Sequence, residues 1–95
     1  MRMIIKTPMS AAEALTLEAL KEGEEGIVTA ISAPKPLRVR LLELGLLPGT
    51  RVRLLRRAPL GDPIEIEVRR TRLSLRKSDA ARVFISIPKS QGASP

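Results

Sequence analysis

LRVRLLELGLLPGTRVRLLRRAPLGDPIEIEVRRTRLSL, residues 37–75, is the stretch on which the fold turns. Leu37, Leu41 and Leu44 recur at spacings of four and three while Arg38 and Glu43 fall off that stripe, which predicts a short amphipathic helix. Pro36 suits its first position, where a missing N–H does no harm. Gly45 can take the left-handed conformation that closes a helix. Pro48-Gly49 then fit the two central positions of a type II turn. A helix of about nine residues does not persist alone, so its leucines must plug one end of a sheet.

The sheet comes directly after the turn. Thr50 to Arg57 places Val52 and Leu54 on one side and Arg51, Arg53, Leu55 and Arg57 on the other. Ile64, Ile66 and Val68 alternate with Glu65, Glu67 and Arg69. The connector Ala58-Pro-Leu-Gly-Asp-Pro63, with Gly61 and Pro63 as turn residues, makes these two strands an antiparallel hairpin. Arginines of one strand then face Glu65 and Glu67 of the other, each pair contributing about 0.2–1 kcal/mol. A further strand carries Leu73 and Leu75, reached through Arg69-Arg70-Thr71. Ser78 reads as the N-cap of a single helical turn. The last strand, Arg82 to Ile87, aims Val83, Ile85 and Ile87 inward until Pro88 ends it.

Upstream, Leu15, Leu17 and Leu20 precede Lys21-Glu22-Gly23, a helical turn stopped by glycine. Gly26 to Ile31 is a first strand, with Ile27, Thr29 and Ile31 on one face and Val28 and Ala30 on the other, expected to be buried on both sides. The fold class is therefore mainly β: a small, partly open barrel of about five strands with one short inserted helix. Residues 1–12 are expected to be a flexible extension, 13–88 the barrel domain, and 89–95 a disordered tail.

Composition limits the chemistry. Ninety-five residues suit one domain. There is no cysteine and no histidine, so thiolate chemistry is excluded and the usual ligands of zinc, copper and non-haem iron are missing. Glu24 and Glu25 are adjacent and would point to opposite faces of a strand. No metal or cofactor site is expected. No nucleophile, general base or phosphate-cradling glycine loop appears, so the chain reads as a binding module and not an enzyme. It contains neither a secretory h-region nor a run of apolar residues long enough to span a membrane. Charge is lopsided: residues 1–34 sum to −2 and residues 35–95 to +9. An acidic protein face, anionic lipid or nucleic acid is the natural partner of the second part.

The strings Arg40-Leu-Leu-Glu-Leu-Gly-Leu-Leu-Pro-Gly-Thr-Arg-Val52 and Ala58-Pro-Leu-Gly-Asp-Pro-Ile64, the latter leading to Leu73-Ser-Leu-Arg-Lys-Ser-Asp-Ala80, resemble the FeoA family, small cytosolic SH3-like barrel proteins of bacterial ferrous iron uptake. The likeness runs from about Leu17 to Ile87. It implies an accessory or regulatory subunit that docks on the cytosolic GTP-binding part of FeoB, the membrane permease, and modulates its transport or GTPase activity. The cytoplasm, including the inner face of the cytoplasmic membrane, is the implied location. It does not imply an iron site in this chain. One departure stands out: the family commonly carries glycine or a similar turn residue where this chain has Arg70. If that turn needs positive φ, arginine costs about 1–2 kcal/mol there.

Two sets of residues are candidates for partner contact. Leu46, Leu47 and Leu60 lie in turns, where they either cap the barrel ends or form an apolar docking patch, with Leu60 at the hairpin tip the better candidate. Arg56, Arg57, Arg69, Arg70 and Arg72 are expected to cluster at the far end of the two hairpins, either to meet acidic side chains or phosphates of the inner leaflet, or simply to pair with Glu65, Glu67 and Asp62. One aromatic, Phe84, is too little for a polyproline groove and weakens single-strand stacking. The alternative reading is a basic SH3-like accessory domain of a nucleic-acid-binding or transcription-regulatory system. Edge strands could also pair copies into a homo-oligomer.

Overall fold

The computed structural model describes residues 15–88; the expectations for residues 1–12 and 89–95 lie outside them. After a 3₁₀ turn at Leu17–Ala19 come β1 (Glu25–Ile31), α1 (Lys35–Glu43), β2 (Arg51–Arg57), β3 (Ile64–Val68), β4 (Thr71–Leu75), α2 (Lys77–Ala80) and β5 (Val83–Ser86). All strand pairs are antiparallel, in the order β4-β3-β2-β1-β5. β4 and β5 do not pair, so the curled sheet stays open between them. The outer edge of β5 is covered by Leu15 and Thr16, through a bridge from Thr16 to Phe84 and the Ile85 N–H bonded to the Leu15 carbonyl at 2.9 Å. Among the described residues β4 pairs only with β3.

Alternation decides which side chains fill the interior. Val52 and Leu54, then Ile64, Ile66 and Val68, then Val83 and Ile85 are buried while their neighbours face out. β1 departs from the expected two-sided burial. Gly26 and Val28 are buried, but a bulge between Val28 and Ala30 inserts Thr29 and turns both Thr29 and Ala30 to solvent. At Gly26 a Cβ would lie 2.6 Å from Ile85 Cδ1 and 3.3 Å from Ile85 Cβ, so the missing side chain is what lets β1 and β5 approach. Ile87 lies beyond the end of β5 and is exposed, not inward.

The helix ends as its sequence dictates, with one exchange. Gly45 has φ +106°; its N–H bonds to the Leu42 carbonyl at 2.9 Å and the Leu46 N–H to the Leu41 carbonyl at 3.2 Å, the paired bonds of a Schellman closure. That closure folds Leu46 back beside Leu41, and both are fully buried. Leu44, expected on the buried stripe, is the C-cap and 39% exposed, while Leu37 is half-buried. The helix starts at Lys35, so Pro36 is its second residue. Leu47 O accepts the Thr50 N–H at 2.9 Å across Pro48 and Gly49 (φ +92°), the bond of the expected turn.

Ser78 is not the cap of α2. It lies inside the helix, and the first N–H, that of Lys77, donates to Asp62 Oδ1 at 2.8 Å from the β2–β3 loop.

Candidate docking surfaces

The β2–β3 loop is tied at three points. Ala58 N–H donates to the Pro63 carbonyl at 3.0 Å, Gly61 N–H (φ +90°) to the Ala58 carbonyl at 2.7 Å, and Asp62 holds α2. Pro59 and Leu60 occupy the centre of the turn that results, and Leu60 is 95% exposed. Held out on a braced loop, this aliphatic side chain is left unpacked by the described residues. The loop thus offers a ready apolar anchor.

The other two turn leucines do not join it. Leu46 is core, because the helix closure drives it inward; the partner contact expected of it is corrected by its complete burial. Leu47 is 38% exposed, but it sits at the opposite end of the sheet. Gly45, two residues before it, lies against Val68 at the far end of β3 from the Leu60 loop. No single patch contains Leu46, Leu47 and Leu60.

The expected arginine cluster divides the same way. Consecutive hairpins turn at opposite ends, and β3 separates them by roughly five residues at about 3.4 Å each. Arg56 and Arg57 are near the Leu60 end, whereas Arg69, Arg70 and Arg72 are at the other. Arg56 meets Glu65 at 3.4 Å, as the strand pairing predicts. Arg57 is drawn inward by a bulge between Leu54 and Arg56, which inserts Leu55 and reverses the facing of the residues beyond it. Its guanidinium donates to the carbonyls of Glu18 and Leu20, the latter at 2.8 Å. Arg57 therefore ties the 3₁₀ turn to the sheet and is not a free surface cation.

At the other end, Val68 pairs with Thr71 and leaves Arg69 and Arg70 as a two-residue turn, with φ +53° and +67°. Two positive φ values are the requirement of the type I′ hairpin turn. The turn borders a cleft of about 260 Å³ lined by Glu25, Arg51, Val52, Arg53, Glu67, Arg69 and Arg70. Glu25 lies 3.1 Å from Arg51 and 4.0 Å from Arg53. Glu67 stands between Arg53 and Arg72 in the strand register. Sequence reasoning missed Arg51 and Arg53; the signal was their position on the outward face of β2, whose register with β3 carries them toward the Arg69-Arg70 turn.

A second recess, of about 220 Å³, is lined by Leu15, Leu20, Ile85 and Ile87 among others. No three acidic side chains converge among the described residues, and no helix among them is long and apolar enough to cross a membrane.

Residues 15–87 match the model of the FeoA domain family. Over 80 residues the chain is 28% identical to the Fe(2+) transport protein A/Fe(2+) transporter FeoB fusion protein of Porphyromonas gingivalis, covering 84% of this chain and 10% of that one. The chain thus spans about a tenth of the length of the curated relative it matches. The solution structure of FeoA from Chlorobium tepidum superposes with a TM-score of 0.73 at 38% identity, over 77% of this chain and 70% of that one. The zinc complex of FeoA from Stenotrophomonas maltophilia, a prokaryotic SH3 domain protein, superposes with a TM-score of 0.69 at 34% identity, over 77% of this chain and 91% of that one. The five-stranded, partly open sheet is SH3-like.

Proposed function

The chain belongs to the FeoA family, and from that membership we propose that it is a noncatalytic accessory subunit of bacterial ferrous iron uptake, docking on the cytosolic GTP-binding part of a FeoB-type permease. The observation that carries this reading is the Porphyromonas gingivalis fusion protein, in which a segment similar to this chain and the transporter form one polypeptide. Tethering raises the local concentration of one part beside the other to the millimolar range, a useful arrangement where the two parts act together. Ferrous iron is then the permease's cargo. This chain contributes a surface whose binding stabilises one conformation of the permease and so shifts its transport or nucleotide turnover.

Leu60 is the anchor in this reading. It is fully presented, its loop is braced by Asp62 on α2, and Arg56 stands on the adjoining strand to border it with charge. The test is titration of the purified cytosolic domain of a FeoB-type permease with the wild-type chain and with Leu60→Asp at moderate salt. Binding by the wild type and its loss in the variant, with an unchanged melting temperature, supports the reading. Equal binding by both removes Leu60 from it, and retention of bulk duplex DNA in place of the permease domain overturns it.

A further inference from the structure

The β3–β4 turn breaks a local rule. A two-residue turn with positive φ at both positions is normally filled by Asn-Gly or a similar pair, because a Cβ is strained in that conformation. Here both positions are arginine, at φ +53° and +67°. Sequences that violate local preference without a packing gain tend to do so at functional sites. The packing gain is absent: Arg69 and Arg70 are both exposed. What the two residues contribute is charge, delivered to the edge of a cleft.

The charge pattern of that cleft defines what fits it. Four arginines and two glutamates line it, for a formal sum of +2. Glu25 is already shared between Arg51 and Arg53, and no described carboxylate lies within ion-pairing distance of Arg69 or Arg70. Across the outer face the strand register sets Arg72, Glu67, Arg53 and Glu25 in one row of alternating sign. Glutamates in the row repel a phosphate-dense polymer or a continuous anionic bilayer. They tolerate carboxylates spaced along a peptide. No aromatic lines the cleft, so bases would have nothing to stack on. A recess of about 260 Å³ has room for one or two side chains.

We infer that this cleft is a second recognition site, which takes an acidic segment of a partner protein, its carboxylates held between the Arg69-Arg70 turn and Arg51 on β2. The site lies at the opposite end of the sheet from Leu60 and does not depend on the docking role given to that residue. Guanidinium forks pair with carboxylates bidentately, so arginine suits this task better than lysine.

The experiment uses the full chain and a fluorescent peptide of alternating Glu and Gly, with a Lys-Gly peptide, inorganic phosphate and phosphatidylserine vesicles as competing probes. The wild type binds the Glu-Gly peptide with an affinity that falls as salt is added, and it does not bind the Lys-Gly peptide. Arg69→Asn/Arg70→Gly raises the melting temperature, because the strained turn is relieved, and weakens peptide binding about tenfold. Arg69→Gln/Arg70→Gln weakens binding as much with no gain in melting temperature. Leu60→Asp binds the peptide as the wild type does. Absence of wild-type binding overturns the site, as does unchanged affinity in both double variants. Tighter binding of phosphate or of the vesicles than of the Glu-Gly peptide overturns the choice of ligand, and loss of binding in Leu60→Asp overturns the separation of the two ends.

Discussion

The carboxylate of Asp62 accepts the backbone N–H of Lys77 at 2.8 Å, so a helix is capped by a loop fifteen residues earlier in the chain. The bond joins the loop that presents Leu60 to the connection between β4 and β5, just beyond the Ile64–Leu75 pair that ends the β3–β4 ladder. Loop position and helix stability are thereby one property.

Asp62→Ala should remove the cap and cost about 1 kcal/mol, a fall in melting temperature of about 4–8 °C for a domain of this size. Asp62→Asn keeps an acceptor and should retain most of the stability. Thermal unfolding followed by circular dichroism separates the two.

Leu46 and Leu47 are neighbours with opposite fates. Leu46→Ala empties a fully buried site and should cost about 2–5 kcal/mol. Leu47→Ala should stay within about 0.5 kcal/mol of the wild type. Urea midpoints at constant m-value check the contrast, and similar losses for both would mean that Leu47 is packed.

Gly45→Ala tests the helix closure. An added Cβ would be 3.4 Å from Val68 Cγ1, which is ordinary contact, but φ is +106°. Conformation and not space sets the cost, about 1–2 kcal/mol. Gly45→Asn, which tolerates the left-handed region better, should lose less in the same urea titration.

Arg57→Met should destabilise the chain by about 1–3 kcal/mol, since the carbonyls of Glu18 and Leu20 lose their donor. Arg56→Met removes only the exposed pair with Glu65 and should cost about 0.2–1 kcal/mol. Denaturation at low and high salt distinguishes them: the Arg56 effect shrinks with salt, and the Arg57 effect persists.

The parts of this fold legible in the sequence are those set by near neighbours. Gly45 marks the helix end, Pro48-Gly49 the turn, and the alternation of Ile64, Ile66 and Val68 the inner face. Bulges are not legible, because nothing in Val28-Thr29-Ala30 or Leu54-Leu55-Arg56 distinguishes an inserted residue until the partner strand is in place. That is why alternation alone gives β1 two buried faces and Arg57 a free side chain. Ser78 looks like a cap by type alone, while the acceptor comes from Asp62, remote in sequence. Leu46 does carry a local signal: an apolar residue one position beyond a closing glycine packs back on the helix. The candidate site is legible at Leu60 and in part at Arg69 and Arg70, whereas Arg51 and Arg53 reach the same cleft only through strand pairing.

The two flanks of the sheet are unlike. One is sealed by Leu15 and Thr16; among the described residues nothing pairs with the outer side of the other, β4, and Arg70, Arg72 and Arg76 lie on it or beside it. Two copies meeting by their β4 flanks would set like charges together, which weakens pairing at that edge. The arginines of the open flank thus act against edge-to-edge growth of the sheet.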